Sequence, residues 1–282
     1  MDLIKKEIDE LYQRLYLEKL TALNTSHQAT DNEQIAQKFA IKETALRFFE
    51  SSPSTDKKII WSYIYRAHVA RKSGVDISPE IIEKVKSADQ SWIKSGGHAF
   101  EEMVKELVNK VLNPDGINIL LQKDLSKLVL DKKVKNEGQD MTFLQMNMSS
   151  SAFDLYAEKD GFVFSCIQAK TSIRDRVTRD REPSIAAMEH YFWSTVFVLD
   201  GDFLRLPKFM DMVRGGSDSF VSNGWHGLYA FSLPDSVICD RIYKLDDKLD
   251  IFKQHALQAY KDWHERRQWF KNTWKADTTV EA

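Results

Sequence analysis

One stretch limits the possible folds more than any other. Ser151–Glu158 and Phe162–Lys170 are two runs rich in aromatic and β-branched residues, separated by Lys159-Asp160-Gly161. An Asp-Gly pair favours the positive-φ turn that matches the twist of two antiparallel strands, so the segment predicts a β-hairpin. Alternation along the strands sets Asp154 on the face opposite Phe153 and Leu155, and puts Gln168 and Lys170 together on one face. A hairpin therefore gathers a carboxylate, an amide and an ammonium group near the ends of paired strands.

The segments before the hairpin are mostly helical. Leu3, Ile4, Ile8, Leu11, Leu15 and Leu20 recur among charges, and residues 35–49 and 57–71 form two more amphipathic stretches. Residues 25–34 and 51–56 read as loops, and Gly74 with 75–79 reads as a boundary. A further helix is expected over 98–112, with Phe100, Val104, Leu107 and Val111 on one face, stopped by Asn113-Pro114-Asp115-Gly116. Residues 117–150 show no single period; 117–121 and 125–130 read as strands. After the hairpin come a charged loop over 172–182 and a helix opened by Pro183-Ser184. Strands are expected at 195–199 and 228–233, and a long helix over 246–274. Helices flanking a mixed sheet make the fold class α/β (α+β), with a helical N-terminal domain over 1–77 and a second domain over 78–282.

Composition narrows the function classes only a little. A hydrophobic share of 43% is that of a chain with a packed core. The net charge of −2 gives no global attraction to phosphate, so any nucleic-acid contact must come from local Lys and Arg clusters. Two cysteines, Cys166 and Cys239, form neither a disulfide framework nor a four-ligand zinc pattern. The first twenty residues are charged throughout, and no apolar run reaches the roughly 20 residues of a membrane span. The expectation is a cytoplasmic protein without membrane partners.

Asp154 can hold Mg²⁺, a hard cation that prefers oxygen ligands. The metal and Lys170 can offset charge on a phosphodiester in its transition state. An Asp, a Gln and a Lys on an exposed strand face are usually just solvated, so neighbouring segments matter. Lys94-Ser95-Gly96-Gly97-His98-Ala99-Phe100-Glu101-Glu102 reads as a Gly pair opening a helix with acids in its first turn, a pattern that helix capping alone also explains. Arg174-Asp175-Arg176 follows the lysine strand. Such alternating charges normally neutralise one another, yet Arg bonds guanine O6 and N7 bidentately and a carboxylate accepts from cytosine N4.

Three blocks carry a family resemblance. Ser91-Trp92-Ile93-Lys94-Ser95-Gly96-Gly97-His98-Ala99-Phe100-Glu101 and the run Ile167-Gln168-Ala169-Lys170 through Asp175-Arg176-Val177 carry most of it; Tyr63-Ile64-Tyr65-Arg66 adds a weaker part. Over residues 58–190 the chain resembles type II restriction endonucleases of the PD-(D/E)XK fold, in the AgeI/BsaWI-like group that cuts sites with a CCGG core. The resemblance implies a Mg²⁺-dependent enzyme that cleaves double-stranded DNA at a palindromic site with A·T or T·A pairs flanking the core. It implies a homodimer or a higher oligomer. Residue by residue, it makes Asp154 the metal-binding aspartate, Lys170 the catalytic lysine and Glu101 an acid from the preceding helix. It moves the second metal-binding carboxylate to a following helix, where Glu189 is the candidate. Gln168 stands where the wider superfamily has an acid, and a neutral amide is a weaker ligand. Asp175 and Arg176 match the base-reading pair, with Arg174 or Lys94 completing it. Two other readings stand beside this one: a repair or junction nuclease of the same fold, and a DNA-binding protein with an inactive nuclease fold, which Gln168 motivates.

Overall fold

The computed structural model describes residues 2–23, 29–74, 79–171, 177–267 and 270–277. It divides into two compact units, Met1–Met103 and Val104–Ala282. No helix among the described residues is long and apolar enough to cross a membrane.

The first unit is helical: α1 (Asp2–Leu23), α2 (Ala29–Ser51), α3 (Lys57–Ser73) and most of α4 (Pro79–Leu112). Asp56 caps α3 by accepting the Lys58 amide at 2.8 Å, and Gly74 ends it in a positive-φ conformation that costs glycine no Cβ clash. Ile8, Tyr12, Ala36, Ile41, Ile60 and Ile64 make a dry interior. Inside it Tyr12 Oη pairs with His68 Nδ1 at 2.9 Å. The helix expected to open at 98 begins at Pro79 and runs through Gly96-Gly97 without a break. Helix geometry holds there because Trp92 packs over Gly96, where an added Cβ would lie 3.2 Å from the indole.

In the second unit the described strands form one six-stranded mixed sheet in sequential order: β1 (Ile117–Leu121), β2 (Leu155–Lys159), β3 (Phe162–Lys170), β4 (Trp193–Asp200), β5 (Gly227–Ser232) and β6 (Ile242–Lys244). The pairs β1–β2 and β2–β3 are antiparallel, and those from β3 to β6 are parallel. The hairpin is present as expected, with Asp160 at φ 55° and Gly161 at φ 89° in the turn. Asp154 sits one residue ahead of β2, and its amide still bonds Ile167 O at 3.0 Å.

Two helical layers cover this sheet. On one face α6 (Gly138–Ser150), α7 (Val177–Glu189) and α8 (Pro207–Arg214) bury Phe143, Leu144, Ala187, Phe209 and Val213 against Tyr156, Cys166, Val196 and Val198. On the other, α9 (Asp250–Glu265) stacks Phe252 on Trp193 at 5.4 Å and sets Tyr260 edge-on to Phe164.

Several expectations need correction. Residues 125–130 belong to a helix, α5 (Gln122–Leu130), which buries Leu125. Helix α6 shows no clear period and buries only Phe143 and Leu144, which is why it escaped the pattern. Helix α7 starts six residues ahead of Pro183 and keeps that proline inside it. The terminal helix stops at Glu265, not at 274; the chain beyond it forms a strap whose Thr273 and Trp274 carbonyls accept from the buried Arg241 guanidinium at 2.9 and 2.7 Å.

Candidate active site

The site lies in the second unit, where the C-terminal end of β3 meets the entry to β2. The pairing starts at Lys159–Phe162 beside the turn, shifts by one residue at a bulge between Ala157 and Glu158, and continues to Leu155–Ile167, which brings Asp154 opposite Gln168. Lys170 Nζ donates to Asp154 Oδ2 at 2.7 Å, and the Ala169 amide donates to the same oxygen at 2.8 Å. The Asp154 and Lys170 side chains are 12% and 25% exposed, so both reach solvent while water screens them only in part. A carboxylate with one oxygen fixed by two donors is held in a single orientation, and an ammonium beside it is a fixed positive charge.

Gln168 is brought to the same place but faces inward, 1% exposed. Its Nε2 donates to Asp180 O at 3.0 Å and Ala152 O at 3.3 Å, and its Oε1 accepts from Trp225 Nε1 at 2.8 Å. Both N–H donors of this amide and one lone pair of its oxygen are thus engaged within the fold.

Glu189 is not brought to Asp154 and Lys170. Strand β4 runs parallel to β3 with Ser165 opposite Trp193 and Lys170 opposite Val198. Helix α7, which links them, must therefore run back antiparallel to both. Its last residue, exposed Glu189, is delivered to the Ser165 end of β3, about 16 Å along the strand from Lys170 at roughly 3.3 Å per residue. The first turn of α7 arrives at the Lys170 end instead, and it carries Asp180. Asp180 was not among the residues expected at the site. Its signal was present, ten residues after Lys170, but residues 172–182 read as a self-neutralising loop.

Glu101 belongs to the first unit, on α4, where His98 Nδ1 lies 3.2 Å from its Oε2. Lys94 is on the same helix, with its side chain outside the described residues. Arg174, Asp175 and Arg176 also lie outside the described residues.

No group of three or more His, Cys, Asp or Glu side chains is assembled to hold a metal among the described residues. Mg²⁺ keeps several waters and takes one or two carboxylates together with substrate phosphate oxygens. Among the described residues, Asp154 lies at this end of the sheet, and Asp180 is in the first turn of the helix that starts there.

Beside the site, a loop joins α8 to β5. Arg181, on the second turn of α7, donates through Nε to Met212 O at 3.1 Å and through its terminal nitrogen to Ser222 O, and its guanidinium lies over Phe220. Part of the charged run after Lys170 is thus spent on holding the fold. Burial pushes the Arg181 pKa down from its ordinary value.

The chain was compared with known proteins. The family model described as BsaWI restriction endonuclease type 2 matches residues 130–269. The type II restriction enzyme AgeI of Thalassovita gelatinovora is 26% identical over 180 residues, which are 63% of this chain and 60% of that enzyme. The chain thus matches less than two thirds of this curated relative's length. A crystal structure of a pre-specific BsaWI–DNA complex matches with a TM-score of 0.68 and 46% identity, covering 98% of this chain and 99% of that one. The 46% identity marks two different proteins. A crystal structure of a specific AgeI–DNA complex matches at 19% identity with a TM-score of 0.55, over 86% of this chain and 91% of that one, a likeness of fold.

Proposed function

Because the chain belongs to the BsaWI family of type II restriction endonucleases, we propose that it is a site-specific deoxyribonuclease that hydrolyses both strands of duplex DNA with Mg²⁺ at a palindromic site with a CCGG core. The observation that carries this reading is the Asp154–Lys170 pair at the mouth of β2 and β3. The BsaWI and AgeI matches being DNA complexes supports a duplex as the substrate.

In this reading Asp154, with Asp180, would hold Mg²⁺, which would supply Lewis acidity and lower the pKa of a water. Lys170 sits against the scissile phosphate and offsets the charge that builds on its oxygens. The water oxygen bonds to phosphorus as the bond from phosphorus to the leaving sugar oxygen breaks; one water proton passes to solvent, and the leaving oxygen takes one up. Glu101 would add an acid from α4.

Recognition is proposed to rest on Asp175 and Arg176, with Arg174 or Lys94 completing the set, and A·T or T·A pairs flanking the core. A two-fold symmetric site is read by a two-fold symmetric protein, so the active form is a homodimer or a larger assembly of dimers. The helical residues 1–77 serve assembly or grip flanking DNA, residues 78–282 carry the cleavage function, and the enzyme works in the cytoplasm.

Incubation with plasmid DNA, with and without Mg²⁺, followed by sequencing of the ends, tests the proposal. Discrete linear products with CCGG at every break are expected. No cleavage with any divalent metal overturns the nuclease reading, and breaks away from CCGG overturn the site.

A further inference from the structure

Gln168 combines three features seldom found together in a solvated strand residue: it is 1% exposed, every bond it makes joins a different segment, and it stands two residues from Lys170. We propose that Gln168 is a positioning residue, an amide clamp that holds the Asp154 entry, the first turn of α7 and Trp225 in one arrangement, and that an ionised carboxylate cannot replace it. The proposal rests on the nuclease reading above.

The chemistry of the primary amide explains the choice. It offers two N–H donors and a carbonyl with two lone pairs. Both donors are spent on backbone carbonyls, Ala152 O and Asp180 O, and the carbonyl takes the Trp225 indole N–H. Ala152 lies two residues ahead of Asp154, so its position governs where that carboxylate stands. Asp180 lies in the first turn of the helix that follows the segment 172–176. Trp225 is fully buried, and Asn223 donates to its carbonyl at 2.8 Å, which extends the clamp into the loop before β5.

An ionised carboxylate at this position would keep the bond from Trp225 but could donate to neither carbonyl. It would also bring a desolvated negative charge against two carbonyl dipoles. The residue that looks like a lost ligand is thus matched to its surroundings as an amide. The protonated form of an acid, in contrast, regains one donor.

Gln168→Glu, Gln168→Met and Trp225→Phe test this in the full-length protein. The readouts are single-turnover cleavage of a duplex carrying the site found in the plasmid experiment, affinity for that duplex without metal, and thermal unfolding. Gln168→Glu is expected to cleave about 10- to 100-fold more slowly than wild type at neutral pH while binding the duplex within about threefold. Its deficit relative to wild type should shrink as pH falls and the acid protonates. Gln168→Met, with similar volume and no hydrogen bonds, should show the loss without that recovery. Trp225→Phe, which removes one bond, should lose a few-fold in rate, and it carries the test if both Gln168 variants fail to fold. Wild-type-like or faster cleavage by Gln168→Glu with a lower Mg²⁺ requirement would overturn the clamp and make the position a ligand site. A deficit independent of pH, or lost in step with DNA binding, would reduce Gln168 to a structural role and also overturn it. A wild type that cleaves no duplex overturns the nuclease reading, and this proposal falls with it.

Discussion

Lys170 Nζ and the Ala169 amide converge on one oxygen of Asp154, at 2.7 and 2.8 Å. Removing either member should therefore unsettle the other. Asp154→Ala should abolish cleavage while leaving duplex binding detectable. Lys170→Ala should slow the single-turnover step by about 10²- to 10³-fold, the usual effect of deleting one electrostatic contact to a developing charge. Lys170→Arg should not restore the rate, because a planar fork does not occupy the place of a compact ammonium. Rates near wild type in any of the three would exclude Asp154 and Lys170 as the centre of the reaction.

The direction of α7 separates two acids. Asp180→Asn should lower the rate and raise the Mg²⁺ concentration needed for half-maximal cleavage, because it stands at the Lys170 end of β3. Glu189→Ala, at the far end, should stay within about twofold of wild type, as surface changes away from special features usually do. Mg²⁺ titrations of both variants check this, and the reverse result would return the second carboxylate to Glu189.

His226 makes stability depend on pH. Its Nδ1 accepts the Ser194 amide at 3.0 Å and its Nε2 faces Lys271 O at 2.8 Å, so the neutral ring with hydrogen on Nε2 is the form that fits. Burial pushes its pKa down to about 3, partly opposed by the bond to Lys271 and helped by the nearby Arg241 charge. The folded pKa lies below the unfolded value, so the folded state binds fewer protons than the unfolded chain. The stability is complete above about pH 6.5 and is lost as pH falls toward the folded pKa. Buried His255 and His68, both pushed down to about 4 by desolvation, act in the same direction. Unfolding free energies measured from pH 7.5 to 4.5 should fall, and His226→Asn should flatten the slope. An unchanged slope would remove His226 from the acid response.

Gly224 has no room for a methyl group. An added Cβ would overlap the Met212 carbonyl oxygen and lie 3.0 Å from Arg181 Cγ. Gly224→Ala should cost about 1–3 kcal/mol in unfolding free energy, the range for forcing extra volume into a packed site. It should also slow cleavage, since Arg181 and Trp225 join this loop to the first turn of α7. A melting temperature within about one degree of wild type would refute the close-packing account, given that about 1 kcal/mol moves the midpoint by several degrees in a domain of this size.

What could be read from the residues alone follows a physical divide. The Asp160-Gly161 turn and the strand Phe162–Lys170 were legible because a two-residue turn and a run rich in aromatic and β-branched residues are local properties. The short run 125–130 was ambiguous between strand and helix, and packing of Leu125 settled it as helix. The start of α7 was illegible, since Pro183 ordinarily opens a helix and argues against one running into it from the N-terminal side. Bonds from outside, Gln168 to Asp180 and Arg181 to the neighbouring loop, hold those first turns in place.

The sequence by itself determined the hairpin, and with it that Asp154 and Lys170 stand on neighbouring strands, because turn chemistry is local; the bulge between Ala157 and Glu158, which shifts the register by one residue before it reaches Asp154, shows only in the fold. Only the tertiary structure decided which end of β3 each acid of α7 reaches and what surrounds Gln168. The parallel crossover from β3 to β4 reverses the chain along α7, so its first turn, with Asp180, lies at the Lys170 end and Glu189 at the other. The Gln168 amide is satisfied by Ala152, Asp180 and Trp225, partners 12 to 57 residues away that no local pattern brings together.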